Sequence, residues 1–400
     1  MMHREDFPIL DNGLIYFDNG ATTLKPISVI ESDIEYYTKY SANAHRGDYD
    51  ISQKVDSLYE ETRDMVRDFI NASRREEIVF TSGATESLNM IVFGFFKNYL
   101  HKGDEVLITK SEHASNVLPW YKLKDEIGID IKFIELDNNM VTLDNVKKAI
   151  TSKTKVISLA EITNTFGDTR DMEAICELVH PMDILVVCDG CQSVPHKKTN
   201  VIESGVDFLA FSAHKMLGPT GIGVLYGKYE LLDQMEPIIL GGGMNSVFEC
   251  DLTYENKELP YRLEAGTQNI AGILGLRKAI KYLNNIGMEN IHNYELELRE
   301  YFVNKLSEVE DVIIYNKDIN SNTILFNIKD IFSQDTSRYL NHYHICVRAG
   351  NHCAKMVKDL IGISNTCRVS LYFYNTKEEI DKFVDVIKNR EDLMKVIIDG

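Results

Sequence analysis

Through the middle of the chain, short apolar runs alternate with longer stretches of helical periodicity. Glu77-Ile78-Val79-Phe80 leads into a helical pattern from residue 85 to about 100. Asp104-Glu105-Val106-Leu107-Ile108 is followed by a helix near Trp120, and residues 154–159 and 183–187 repeat the rhythm. Strands alternating with helices predict a mostly parallel sheet covered on both faces. In such sheets a ligand sits beyond the carboxyl ends of the strands.

A second pattern begins near Asn290. A long helix from 291 to about 309 precedes strands at 312–315 and 323–327, and helix-like segments follow at 335–343 and 377–388. That order reads as a smaller α+β domain, with the N-terminal segment packed beside it. No repeat, low-complexity tract or Pro/Gly-rich linker marks a boundary, so element order sets it. A large α/β domain is expected over 21–285, and a small one built from 1–20 and 286–400.

Four hundred residues is more than one core usually organises, which agrees with two domains. A composition of 44% hydrophobic and 26% charged residues is ordinary for a globular enzyme. The net charge of -18 argues against a nucleic-acid partner, since phosphate binding needs clustered Lys and Arg. No apolar run approaches the roughly 20 residues that span a bilayer, and the N-terminus lacks the apolar core of a secretory signal. A cytoplasmic protein with no membrane partner is the expectation. Seven Cys without framework spacing fit reduced thiols, with no disulfide framework and no structural metal site.

Three stretches end an apolar run on residues suited to chemistry. Phe80-Thr81-Ser82-Gly83-Ala84-Thr85-Glu86 joins a strand to a helix. Small residues there let backbone amides approach an anion at a helix N-terminus, or a Thr or Ser simply caps the helix. Val187-Cys188-Asp189-Gly190-Cys191-Gln192 puts Asp189 at a strand end, where it either caps the next element or meets a buried cation such as a pyridinium. Phe208-Leu209-Ala210-Phe211-Ser212-Ala213-His214-Lys215 ends a strand just before Gly218-Pro219-Thr220-Gly221. Desolvation and nearby positive charge lower an amine's pKa, which Schiff-base formation requires of Lys215. Ser212 and His214 are suited to a phosphate.

Together these stretches resemble the class V aminotransferase-like family, and within it the SufS-type (group II) cysteine desulfurases and selenocysteine lyases. The resemblance starts at Tyr16-Phe17-Asp18-Asn19-Gly20-Ala21-Thr22-Thr23, runs through Ala44-His45-Arg46-Gly47, and ends near Cys367-Arg368-Val369-Ser370 and Tyr374-Asn375-Thr376. It implies the type I pyridoxal-phosphate transferase fold and pyridoxal 5'-phosphate as cofactor. Lys215 would be the Schiff-base lysine, Asp189 the pyridine-nitrogen partner, and Gln192 the partner of the ring hydroxyl. His113, in Glu112-His113-Ala114-Ser115-Asn116, would stack on the ring. Thr85, Ser212 and His214 would hold the phosphate, with Thr267 reaching in from the second subunit of a homodimer. Asn164 and Arg368 would hold the substrate carboxylate, Arg because its planar fork matches one.

The most diagnostic segment is Val347-Arg348-Ala349-Gly350-Asn351-His352-Cys353-Ala354, which resembles the loop bearing the desulfurase nucleophile. A Cys beside Arg and His is also placed for a lowered thiol pKa. The resemblance therefore implies conversion of L-cysteine to L-alanine, with sulfur held as a Cys353 persulfide. An acceptor of SufE or SufU type and a cluster-assembly scaffold would follow. Two positions depart from the family pattern: Ala114 stands where a second His is common, and Cys191 where Ala usually precedes the Gln. Selenocysteine lyase is one alternative on the same fold; transamination, epimerisation or C–S lysis releasing free sulfide is another, and these last need Lys215 but not Cys353. A non-catalytic assembly protein is a rival of another class, and it would not need Lys215, Asp189 and His113 together.

Overall fold

A computed structural model describes residues 3–399; Met1, Met2 and Gly400, at the ends of the expected small domain, lie outside the described residues. A seven-stranded sheet runs in the order Ile78–Thr81, Gly223–Gly227, Phe208–Ser212, Leu185–Asp189, Thr154–Ala160, Glu105–Ile108, Asp130–Phe133. Only Gly223–Gly227 is antiparallel to its neighbours, so the sheet is mostly parallel, as the element order predicts.

The strands read as unbroken apolar runs because successive side chains point to opposite faces and both faces are covered. Val186 and Cys188 join one core, while Val187 between them joins the other. The first core is closed by Ile27–Lys39, Asp50–Phe69 and Ile270–Ile286, the second by Ala84–Met90 and Leu118–Ile127.

One element departs from its pattern. The helix predicted over 85–100 widens into a π-helical turn at Ile91–Phe96. Within that turn Gly94 lies against the backbone of Glu236, whose amide donates to the Gly94 carbonyl at 2.9 Å. A Cβ there would sit 2.6 Å from the Glu236 carbonyl oxygen, so only glycine allows the approach.

A four-stranded antiparallel sheet follows the order Val312–Ile314, Thr323–Ile328, Thr366–Ser370, Arg348–Gly350. Helices Met288–Ser307, Ser333–His342 and Lys377–Lys388 cover one face around Phe302, Phe326 and Phe383. The opposite face presents Leu325 to Phe166, which comes from the loop following Thr154–Ala160. The N-terminal segment joins this part of the fold, with Ile15–Tyr16 parallel to Ile345–Cys346.

Candidate active site

Strand ends converge on one cavity of about 180 Å³. Its walls include Thr85, His113, Asn164, Asp189, Gln192, Ser212, His214 and Lys215, together with Gly20, Ser115, Cys191 and Arg348. Asp189 and Ser212 are the last residues of neighbouring strands, and Ala213–Lys215 turns immediately afterwards.

Local geometry explains each placement. A Cβ on Gly223 would lie 2.5 Å from the Gly83 Cα, so glycine there lets the turn before Ala84 press against the strand pair. The Ala84 amide then donates to the Ser212 Oγ at 2.8 Å, and the Thr85 and Ser115 hydroxyls pair at 2.8 Å. Thr85 is therefore not a helix cap; the N-cap is Gly83, and no side chain caps this helix. The Cys191 amide donates to the Asp189 Oδ1 at 3.0 Å, so Asp189 both turns the chain and lines the cavity at 4% exposure. Gln192 donates its Nε2 to the Gly20 carbonyl at 2.9 Å, fastening the N-terminal segment to the site.

His113 accepts from the Ser115 amide at Nδ1 (3.2 Å), which leaves its proton on Nε2. Burial pushes its pKa down to about 4, and the Lys215 charge adds to the effect. Burial, then Lys215 and Lys25, likewise hold His214 near about 4. Behind His113 lies a buried network that no motif singled out. Arg170 bonds to Glu112 and Asp168, and its Nη2 donates to Thr109 (3.1 Å) and Ser111 (2.9 Å). It ties the loop bearing His113 to the loop bearing Asn164. Its only trace in the sequence is a set of charged residues beside apolar strands.

The loop from Arg348 to Ala354 is held in an unusual backbone. His352 (φ 52°) and Cys353 (φ 59°) are consecutive non-glycine residues in the left-handed region. Cys353 is exposed, and the Arg348 Nη2 donates to its Sγ at 3.4 Å. Its amide donates to the Asn351 Oδ1 at 3.1 Å, and its carbonyl accepts from the Ala114 amide at 2.8 Å, beside His113. Cys353 thus stands at the edge of the cavity and is not part of its lining.

Arg368 is fully buried behind Asn164, donating to the Asn164 carbonyl (2.8 Å) and to Asp18 (2.9 Å). Three neighbouring buried atoms have no partner: Asn164 Oδ1, Arg368 Nε and His352 Nδ1. Buried polar atoms without partners are costly, so this corner suits a polar ligand: the Arg368 Nε–H is a donor for a carboxylate, while the Asn164 Oδ1 calls for a donor on the ligand. The remaining donor set fits a phosphorylated pyridine aldehyde. A buried carboxylate would meet the ring nitrogen, an amine the aldehyde, and the Thr85 and Ser212 hydroxyls the phosphate. Thr267 lies apart, lining another cavity and accepting from the Asn43 Nδ2 at 3.2 Å.

Cys188 and Cys191 form a C-x-x-C spacing that the cysteine reading passed over. The strand end sends Cys188 into one core and Cys191 to the cavity. Burial, reinforced by Asp189, pushes the Cys191 thiol far up, so it stays protonated.

The aminotransferase class-V family model matches residues 15–383. A cysteine desulfurase of Haloferax volcanii is 37% identical over 98% of this chain and 96% of the relative. The apo structure of a cysteine desulfurase from Thermococcus onnurineus NA1 superposes with a TM-score of 0.93, at 38% identity over 97% of this chain and 96% of that one. An Escherichia coli cysteine desulfurase in its S-sulfonic acid form gives a TM-score of 0.91, at 31% identity over 98% of each chain.

Proposed function

The chain belongs to the class-V aminotransferase family, and from that membership we propose a pyridoxal-phosphate cysteine desulfurase in which Cys353 receives the sulfur of L-cysteine. The single observation that carries the role of Cys353 is its setting. An exposed thiol beside the Arg348 guanidinium stands on a loop bonded to both the His113 and Asn164 segments.

When bound, pyridoxal phosphate supplies an electron sink for charge developing at the substrate's Cα. Asp189 would keep the ring nitrogen protonated, Gln192 would meet the ring hydroxyl, and neutral His113 would pack on the ring. Thr85, Ser212 and His214 would hold the phosphate, and Arg368 with Asn164 would orient the substrate carboxylate. Lys215 would carry the cofactor, and its amine is placed to move the proton at the substrate's Cα. Cys353 attacks as thiolate: a bond forms between its Sγ and the substrate sulfur while the C–S bond breaks. The C–S electron pair stays with carbon, and protonation completes L-alanine.

The persulfide must be delivered, and an exposed Cys353 suits the thiol of a SufE-type or SufU-type carrier feeding iron–sulfur cluster assembly. Thr267 does not line its own chain's Lys215 cavity, which supports a homodimer in which it completes the partner's phosphate site. Among the described residues no helix is long and apolar enough to cross a membrane. Cysteines without disulfides support a reducing, cytoplasmic setting.

Mass spectrometry after cysteine treatment without reductant tests the assignment. One added sulfur on the Cys353 peptide is expected, and Cys353→Ala is expected to keep the cofactor spectrum while forming almost no alanine. Turnover of Cys353→Ala at the wild-type rate overturns it.

A further inference from the structure

The carbonyl of the peptide that precedes Lys215 is held by the segment Thr22–Lys25. Four donors converge on the His214 carbonyl: the Thr23 amide (3.0 Å), Thr22 Oγ1 (3.0 Å), Thr23 Oγ1 (3.2 Å) and Lys25 Nζ (2.9 Å). Lys25 also donates to Thr22 Oγ1 at 3.3 Å and to the Thr23 carbonyl. An ammonium has three N–H donors and no acceptor, and here each finds one oxygen. Thr23 Oγ1 in turn accepts from the Leu217 amide at 2.9 Å, where Leu217 is held at φ 67°. The whole turn from His214 to Leu217 is thereby fixed to the N-terminal segment.

Stability does not explain Lys25. Its ammonium is half-buried with no carboxylate partner among the described residues, and burial alone brings its pKa down to about 7. It also immediately precedes the N-terminus of the helix Ile27–Lys39, the end that disfavours a cation. Three oxygens gathered around one amine whose charged form is disfavoured by burial, missing counter-charge and helix dipole point to a role at the neighbouring site.

We propose that Lys25 is a positioning residue for Lys215, its ammonium clamping the His214 carbonyl so that the lysine amine is aimed at the cofactor. The inference rests on Lys215 being the cofactor-linking residue, so borohydride reduction and peptide mapping of the wild type come first. If the reduced adduct maps elsewhere, that reading fails before the clamp is tested.

The clamp is then tested with Lys25→Met, Thr22→Val and the wild type by three measurements. These are urea unfolding of the cofactor-free chain, affinity for pyridoxal phosphate, and visible absorbance of the lysine-linked form at saturation. Lys25→Met is expected to unfold at the same or higher urea, because an uncompensated charge has been removed. It is also expected to bind cofactor roughly tenfold more weakly, as loss of a charge-assisted hydrogen bond implies, with a smaller linked fraction. Thr22→Val should shift affinity and linkage the same way, less strongly. Unchanged linkage in Lys25→Met, or a loss of linkage that only tracks a loss of stability in both variants, overturns the proposal.

Discussion

Asn164 donates its side-chain amide to the His352 carbonyl at 2.7 Å, so the residue assigned to the substrate carboxylate also fastens the nucleophile loop. Its other amide atom, Oδ1, is buried without a partner. Asn164→Ala therefore removes two functions together. The lost buried hydrogen bond is worth about 1–3 kcal/mol, or roughly 5- to 150-fold in kcat/KM. The expected accompaniment is faster alkylation of Cys353 by iodoacetamide, because the loop is freed. Steady-state kinetics and timed labelling check this; a lower kcat/KM with unchanged labelling would leave only the substrate role.

Arg348 touches Cys353 directly, at 3.4 Å from sulfur. The guanidinium donates to the sulfur and so fixes where it stands. Arg348→Ala should slow persulfide formation by roughly three- to tenfold for so exposed a pair. Cofactor absorbance should stay unchanged, which separates this effect from damage to the ring pocket.

The site's histidines predict how stability depends on pH. His113 and His214 are held from the ordinary 6.5 down to about 4, first by burial and then by Lys215. The unfolded chain protonates them near 6.5 and the folded chain only near 4. Between those limits the unfolded state binds more protons, so stability falls as pH falls through that window. Each proton contributes a slope of about 1.4 kcal/mol per pH unit. Urea midpoints of the cofactor-free chain should drop from pH 6.5 to 4.5, and His113→Gln should flatten that slope. An equal slope in the variant would contradict the assigned burial.

Much of this was legible in the chain because the sheet writes itself as apolar runs ending in Asp189, Ser212 and Lys215. Strand ends of that kind can be read from composition, since both faces of the sheet are buried. The π-helical turn at Ile91–Phe96 was not legible, because it depends on Gly94 meeting Glu236, a tertiary contact. Nor were the Arg170–Glu112 network and the Lys25 clamp, which join residues far apart in sequence and carry no spacing. The double role of Asn164 needed coordinates too, because its partner lies 188 positions away.

Thr267 offers a test that one chain cannot perform alone. It lines a different cavity from the one holding Lys215 in the same chain, and it is proposed for the partner's phosphate site. Lys215→Ala and Thr267→Val should each be nearly inactive as homodimers. Unfolded together and refolded as a mixture, they form hybrids with one site lacking both residues. The second site takes Lys215 from the Thr267→Val chain and Thr267 from the Lys215→Ala chain, so it is intact. Random assortment makes half the dimers hybrid with one good site each, so about a quarter of wild-type sites should return. If Thr267 served its own chain, the hybrid would hold one site without Lys215 and one without Thr267, and mixing would restore nothing. Alanine formation from cysteine, measured before and after mixing, distinguishes the two arrangements without any assumption about how each variant folds.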